Sequence, residues 1–175
     1  MAENAAKKEQ VSRDFNPGDL AVYPAHGVGR IEAVETKEIG GNKQDFYIMK
    51  ILENNMVIMI PISNVESVGL RNVIGKNEIK KVYKVMKSKK ETSIDTQTWN
   101  RRYREYMDKI RTGSLYDVAE VFRDLFLLNE SKNLSFGERK LLDTARGLLL
   151  KELCTAKNKD EEFVMAEIES LFQTN

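Results

Sequence analysis

The sequence predicts an α+β protein: a small, strongly bent β-sheet or barrel comes first, and a compact all-α domain of about five helices follows. Two observations support this division. Short runs rich in β-branched and aromatic residues, separated by turn residues, fill residues 18–68. Beyond Gly75 the apolar residues recur instead at helical spacing. The predicted boundaries are a disordered tail over 1–14, a sheet domain over 15–74 and a helical domain over 75–175.

Four apolar runs predict the strands: DLAVYP, VGRIEAVETKEI, DFYIMKILE and MVIMIPI. The segments GGNK and ENN are short enough to join neighbouring runs as hairpins. Pro61 lies in the last run, and because proline cannot donate to a β-ladder, MVIMIPI is expected to be an edge strand. Its outward Met and Ile side chains leave that edge open to strand addition, so it should meet a partner or be covered by the chain's own helices.

Helical periodicity starts with NEIKKVYKVMKS, in which Ile79, Val82 and Met86 share one face, and the polar connector SKKETSIDTQ follows. Capping residues mark the remaining helices. The predicted caps are Thr98 and Gly113 around the second helix, Ser114 with Asp117 at the third, the pair Ser135 and Glu138 at the fourth, and Asp160 at the last.

Composition excludes several classes of protein. No apolar run approaches the roughly 20 residues of a membrane span, the first residues lack the apolar core of a secretory signal, and the cytoplasm is the expected compartment. One cysteine and one histidine cannot build an internal disulfide or a zinc cluster. His26 is expected in a surface loop and Cys154 in the core, and no phosphate or dinucleotide loop is present. We therefore expect no catalytic residue, no cofactor and no metal.

Positive charge is concentrated in one part of the chain. Residues 76–113 hold 12 basic and five acidic side chains, although the whole protein has a formal net charge of only +1. A basic block between acidic segments is typical of an anion-binding face, and a solvated lysine-rich helix is the alternative.

The stretch TWNRRYREYMDKIRTG, residues 98–113, contains the sole tryptophan. As a helix it places Trp99, Tyr103, Tyr106 and Ile110 along one stripe, and the last three are expected in the core. Trp99 lies in the first turn, where fewer neighbours bury it. It is predicted either to be exposed, beside Arg101, Arg102 and Arg104, and able to stack on a base or wedge beside a distorted base step, or to staple the start of the helix.

The ordered series GDLAVYPAHGVGRIEAVE, FYIMKI, MVIMIPI, VESVGLRNVI, TWNRRYREYMDKIRTGS, AEVFRDL and LSFGERKLLDTARGLL resembles the CarD/CdnL family of bacterial transcription regulators, from about Phe15 to the C-terminus. The resemblance implies a Tudor-like barrel that docks on the RNA polymerase β subunit. It also implies a helical domain that contacts promoter DNA at the upstream edge of the transcription bubble. By the same resemblance Trp99 acts as a wedge in the minor groove, and Arg101, Arg102 and Arg104 contact the DNA backbone.

For the barrel, the resemblance implies polymerase contacts at Met59, Pro61 and Lys37. Because some family branches carry arginine at the positions of Met59 and Lys37, an apolar contact is expected here in place of ion pairs. The expected protein is a monomer that acts at the nucleoid through polymerase and holds DNA weakly, with little sequence preference. A protein–protein adaptor with no DNA role and a sequence-specific DNA binder are the competing hypotheses.

Overall fold

The computed structural model describes residues 14–88 and 98–173, so residues 1–13 of the predicted tail and most of the predicted connector lie outside the described residues. Four strands form one antiparallel sheet in the order β1-β2-β3-β4. They are β1 (Leu20–Tyr23), β2 (Gly27–Ile39), β3 (Asn42–Ile51) and β4 (Val57–Pro61). The predicted strands are confirmed, and the sheet curls into a half-barrel. β4 lies at its edge, as Pro61 required.

The bend of the sheet has a local cause. A bulge between Ile31 and Ala33 shifts the register of the long strand β2 against β3, and a bulge increases strand twist and bends the strand. The side chains above the concave face form one core around Tyr47, which is fully buried and whose hydroxyl accepts a hydrogen bond from the Phe15 N–H at 3.1 Å. Phe15 thereby closes one side of the half-barrel.

Among residues 14–88 and 98–173 six α-helices follow the sheet, and five of them make the helical domain. A 3₁₀ turn (Ile62–Asn64) and the short helix α1 (Val65–Val68) lead out of the sheet, and Val65 belongs to the core of the sheet. The helical domain consists of α2 (Lys76–Lys87), α3 (Trp99–Arg111), α4 (Leu115–Ser131), α5 (Phe136–Lys157) and α6 (Glu161–Gln173). Within residues 14–88 and 98–173, no helix is long and apolar enough to cross a membrane.

Local signals set the beginnings of these helices. At α5 the predicted capping box forms: the Ser135 N–H donates to Glu138 Oε2 at 2.9 Å, and the Glu138 N–H donates to Ser135 Oγ at 3.3 Å. At α6 Asp160 Oδ1 accepts from the Phe163 N–H at 2.8 Å. Thr98 occupies the N-cap position of α3, but its side chain makes no capping hydrogen bond. The capping residues in the sequence therefore predicted correctly where these helices begin. They were a less reliable guide to which side chains make a capping hydrogen bond.

Gly113 ends α3 and also lies where the two domains meet. Its φ of +76° is the left-handed conformation predicted for the residue after a helix, which glycine adopts most easily. A Cβ placed here would lie 2.8 Å from Cγ of Pro24, in the turn after β1. The turn between α3 and α4 can approach the sheet this closely only because the residue has no side chain.

Arg71 joins the sheet to the helical domain through three sets of contacts. Its backbone pairs with Val22 of β1, and its Nε donates to the Gly113 carbonyl at 2.8 Å. Its guanidinium meets Glu152 of α5 in a bidentate ion pair, with Nη1 to Oε1 at 2.5 Å and Nη2 to Oε2 at 2.9 Å. The Ile74 N–H also donates to Oε1 of the same carboxylate, at 3.2 Å. Because the Glu152 side chain is only 3% exposed, these donors replace its lost hydration.

Arg71→Ala is expected to lower the free energy of unfolding by about 3 kcal/mol, the lower end of the ~3–5 kcal/mol cost of leaving one member of a buried ion pair alone. The lower end applies because the Arg71 side chain keeps 29% exposure. Urea denaturation followed by circular dichroism measures the change. As the matched control, the double variant Arg71→Met with Glu152→Leu should recover part of the loss, since no buried charge then lacks a partner. A loss below about 1 kcal/mol for Arg71→Ala would instead be the behaviour of a surface ion pair.

Candidate nucleic-acid interface and sheet edge

Trp99 is half-buried at the first position of α3, between the bundle and the solvent. Its ring centroid lies 5.6 Å from that of Tyr103, with the two planes at 60°. On its other side the indole covers the start of α5, where a Cβ on Gly137 would lie 3.1 Å from Trp99 Cζ2. The ring therefore packs on the bundle without being sealed inside it. The two predicted alternatives were an exposed indole and a staple at the start of the helix. Each describes part of this geometry, because the indole packs at the helix start and still reaches solvent.

The predicted apolar stripe of α3 lies partly in the core and partly at the surface. Tyr106 and Ile110 are 6% and 2% exposed and lie in the helical core, as predicted. The prediction that Tyr103 is a core residue is wrong, because its side chain is 43% exposed. The core lies under the second half of α3, whereas in the first turn Trp99 lies over Gly137 and Arg102 meets Glu138, both at the beginning of α5. Helical spacing places Tyr103 on the correct face, but that face extends beyond the core.

Phe136 extends the aromatic surface and was missed from the sequence. It is the first residue of α5 and is 80% exposed, directly before the glycine that the indole covers. A signal for it was available: positions three and four residues further along α5 are Arg139 and Lys140, so Phe136 lies on the polar face of the helix. We refer to Trp99, Tyr103 and Phe136 as the aromatic patch.

The three arginines predicted beside Trp99 have different surroundings. The Arg101 side chain is 71% exposed and its only ion pair within the described residues is with Glu105, at 3.5 Å. Arg104 is also exposed. The Arg102 side chain is only 13% exposed, with Nη2 at 3.6 Å from Glu138 Oε1. Arg101 and Arg104 therefore present their positive charge to the solvent and Arg102 does not, and contact between any of the three and DNA stays a prediction.

Glu138 is a buried carboxylate at this site, 3% exposed. Burial by itself raises the pKa of this carboxyl, but the Ser135 N–H and the nearby cations Lys132 and Arg102 outweigh it, so the pKa of Glu138 lies below its ordinary value. The group is therefore ionised at neutral pH and holds a negative charge beneath the positively charged first turns of α3.

The sheet edge brings together the three residues predicted to contact polymerase. Met59 pairs with Ile48 of β3 and Pro61 with Phe46, so both lie on the same face of β4. Lys37 reaches this face from β2, where its Nζ donates to Met59 Sδ at 3.8 Å. Met59 is 41% exposed, and Val57 on the same face is 60% exposed. Within the described residues no strand pairs with the free side of β4.

The remaining candidate residues lie apart from both surfaces. His26 is exposed in the turn after β1, its ring centroid 5.4 Å from that of Tyr23. Cys154 is half-buried against the helical core, where burial raises the pKa of its thiol. Across residues 14–88 and 98–173, no three His, Cys, Asp or Glu side chains are grouped to hold a metal ion.

The fluorescence of Trp99 should report the charge around it, since it is the sole tryptophan. At equal ionic strength, iodide is expected to quench it about threefold more strongly than caesium, relative to free tryptophan amide, as for a local potential of about half a kT. The double variant Arg101→Gln with Arg104→Gln should reduce that ratio towards one. Equal quenching by the two ions in the unmodified protein would mean that the exposed face of the indole is not electropositive.

Comparisons with known proteins identify the family of the chain. The family "CarD-like/TRCF RID domain" matches residues 15–74, and the family "CarD, C-terminal domain" matches residues 81–169. YdeB, a candidate transcription factor of Bacillus subtilis (strain 168), is 36% identical over 148 residues, which cover 85% of this chain and 95% of YdeB.

Two solved structures from Myxococcus xanthus match the sheet domain. The 72-residue N-terminal domain of CarD is 38% identical, with a TM-score of 0.30 and coverage of 35% of this chain and 81% of that domain. The CdnLNt structure is 51% identical, with a TM-score of 0.32 and coverage of 37% and 92%.

Together the two family matches span both structural units in the order in which they occur along the chain. The match over 15–74 implies binding to RNA polymerase, and transcription regulators of this kind are not an enzyme class. The chain belongs to the CarD family of transcription regulators.

Proposed function

We propose that this protein docks on the RNA polymerase β subunit through its sheet edge and stabilises the promoter open complex by inserting Trp99 at the upstream edge of the bubble. The observation that carries the proposal is the aromatic patch: Trp99 remains partly exposed with its ring centroid 5.6 Å from that of Tyr103, and the exposed Phe136 directly precedes the glycine that the indole covers. A protein in water keeps so many large aromatic side chains at one surface only at a cost, so a binding role for them is favoured.

The chemistry of the patch suits unpaired or distorted DNA. Aromatic rings stack on bases for about 1–3 kcal/mol per base, and this is independent of sequence because every base has a π-face. Arg101 and Arg104 flank the patch with exposed positive charge for phosphates. No Asn or Gln of α3 accompanies them on an exposed face apart from Asn100, so base reading of the kind used by recognition helices is not supported. We infer weak, salt-sensitive contact of low sequence preference.

The sheet edge suits a protein partner. β4 presents the exposed apolar side chains Val57 and Met59 next to a row of unpaired backbone groups, which is the arrangement that an added strand uses. Lys37 contributes a single charge at its border, 3.9 Å from Glu35. The proposed contact with polymerase through Met59, Pro61 and Lys37 is therefore mainly apolar.

The two contacts act together. Once the sheet edge is docked, promoter DNA is present near the aromatic patch at high effective concentration, so a weak DNA contact becomes significant. Only a difference in affinity shifts an equilibrium, so Trp99 must fit the open fork better than closed duplex. A preference of about 1.4 kcal/mol would change the ratio of open to closed complexes tenfold. One monomer per polymerase suffices for this mechanism.

Trp99→Ala is expected to leave polymerase binding intact and to shorten the lifetime of the open complex at a weak promoter about tenfold, because one stacked ring is lost. Dissociation kinetics after a competitor challenge, followed on a promoter with a fluorescent bubble, measure the lifetime. The matched control is Phe163→Ala on α6, which removes an exposed aromatic side chain (44%) outside the aromatic patch. An unchanged lifetime for Trp99→Ala would remove the wedge and favour the adaptor hypothesis.

Met59→Glu is expected to weaken binding to the β subunit at least tenfold, since it places a charge in the centre of the proposed apolar contact. Because the side chain is 41% exposed, the fold should survive, and a thermal melt checks this. Co-purification with the β subunit measures docking, and all promoter effects should disappear with it. As a control, Glu66→Gln on the exposed face of α1 should bind normally. Normal binding by Met59→Glu would place the polymerase contact elsewhere.

A further inference from the structure

The Arg102 guanidinium is directed at the indole and away from solvent. Its Cζ lies over the Trp99 ring, 5.6 Å from the centroid, one helical turn further along α3. Only 13% of the side chain is exposed, in contrast to 71% for Arg101 one residue earlier. Two neighbouring arginines in the same basic segment are therefore used differently.

A buried carboxylate holds this guanidinium. Glu138 Oε1 lies 3.6 Å from Arg102 Nη2, and its Oε2 accepts from the Ser135 N–H. The carboxylate is fixed because it belongs to the capping box at the start of α5, and Lys132 Nζ also approaches it, at 3.4 Å. The ion pair therefore links the first turn of α5 to the first turn of α3.

The same turn of α5 also packs against the indole of Trp99. A side chain at Gly137 would crowd the indole, since a Cβ there would lie 3.1 Å from Trp99 Cζ2. Trp99 is thus bounded by the Gly137 backbone, by the Tyr103 ring and by the Arg102 guanidinium. The contacts define one orientation of the ring, and α5 provides one of the three residues that make them, Gly137.

We propose that Arg102 and Glu138 are positioning residues: Glu138 holds the Arg102 guanidinium over Trp99, and this fixes the orientation in which the indole meets DNA. The inference rests on the proposed function and replaces a phosphate contact for Arg102 by a role within the protein. Two physical reasons support it. A cation already paired with a buried carboxylate releases few counterions on binding DNA. A planar guanidinium can cover a ring and contact a carboxylate at once, which a lysine ammonium does less well.

The test compares Arg102→Lys with Arg111→Lys, a matched change in the last turn of α3, where the Arg111 side chain is 67% exposed. If Arg102 positions the indole, Arg102→Lys should increase acrylamide quenching of Trp99 in the free protein and shorten the open-complex lifetime about fivefold, although the charge is kept. Arg111→Lys should leave both within about twofold of the unmodified protein, since it keeps the charge at a position away from the indole.

Salt dependence separates the two roles further. On a DNA duplex with a frayed junction, Arg101→Gln should reduce the slope of log K against log salt by about 0.9, the value of one lost phosphate contact, and Arg102→Gln should leave it unchanged. Glu138→Gln provides an independent variant, because glutamine is accepted in a capping box while the ion pair is removed. It should reproduce the quenching of Arg102→Lys with the helical circular dichroism retained.

The proposal is overturned if Arg102→Lys leaves quenching and lifetime unchanged, or if Arg102→Gln lowers the salt slope as much as Arg101→Gln does. Failure of the proposed function gives a different result. In that case Trp99→Ala does not shorten the open-complex lifetime, whereas Arg102→Lys and Glu138→Gln still raise the quenching of Trp99 in the free protein.

Discussion

The bidentate ion pair between Arg71 and Glu152 determines how the two halves of this protein are joined. Arg71 belongs to the sheet through its backbone bridge to Val22, and its side chain reaches both the turn at Gly113 and the middle of α5. Loss of these donors would leave a buried carboxylate without a partner and would strongly destabilise the fold. The sheet and the helical bundle are therefore held in one arrangement and do not hinge freely. The sheet edge and the aromatic patch, the two candidate binding surfaces, therefore belong to one connected structure.

The aromatic patch depends on a second set of contacts between helix beginnings. Tyr106 and Ile110 anchor the later turns of α3 in the core, which leaves the first turn to project beside the start of α5. There the capping box performs two tasks. Glu138 satisfies the backbone of α5 and also receives Arg102 from α3. The carboxylate of Glu138 therefore connects the capping of α5 with the position of Arg102 and, through it, with the position of Trp99.

Features governed by neighbours in the chain were predictable. The change from strand to helical periodicity, the edge position imposed by Pro61, the left-handed Gly113 and the capping box of Ser135 and Glu138 all follow from interactions within a few residues. Tyr103 was assigned wrongly because periodicity specifies which face of a helix a residue occupies and not how far the core extends beneath that face. Phe136 could have been found, because Arg139 and Lys140 of its own helix mark its face of α5 as polar.

The sequence by itself determined the order of the two units, their elements, the concentration of positive charge around residues 76–113 and, through an extended resemblance, the CarD family. Tertiary structure alone decided which arginine meets a buried carboxylate. Helical spacing places Arg102, and not Arg101, on the same side of α3 as Trp99 and Tyr106, but it does not say what lies against that side. The two arginines differ because α5 places Glu138 within reach of only one, and this depends on packing between residues distant in the chain.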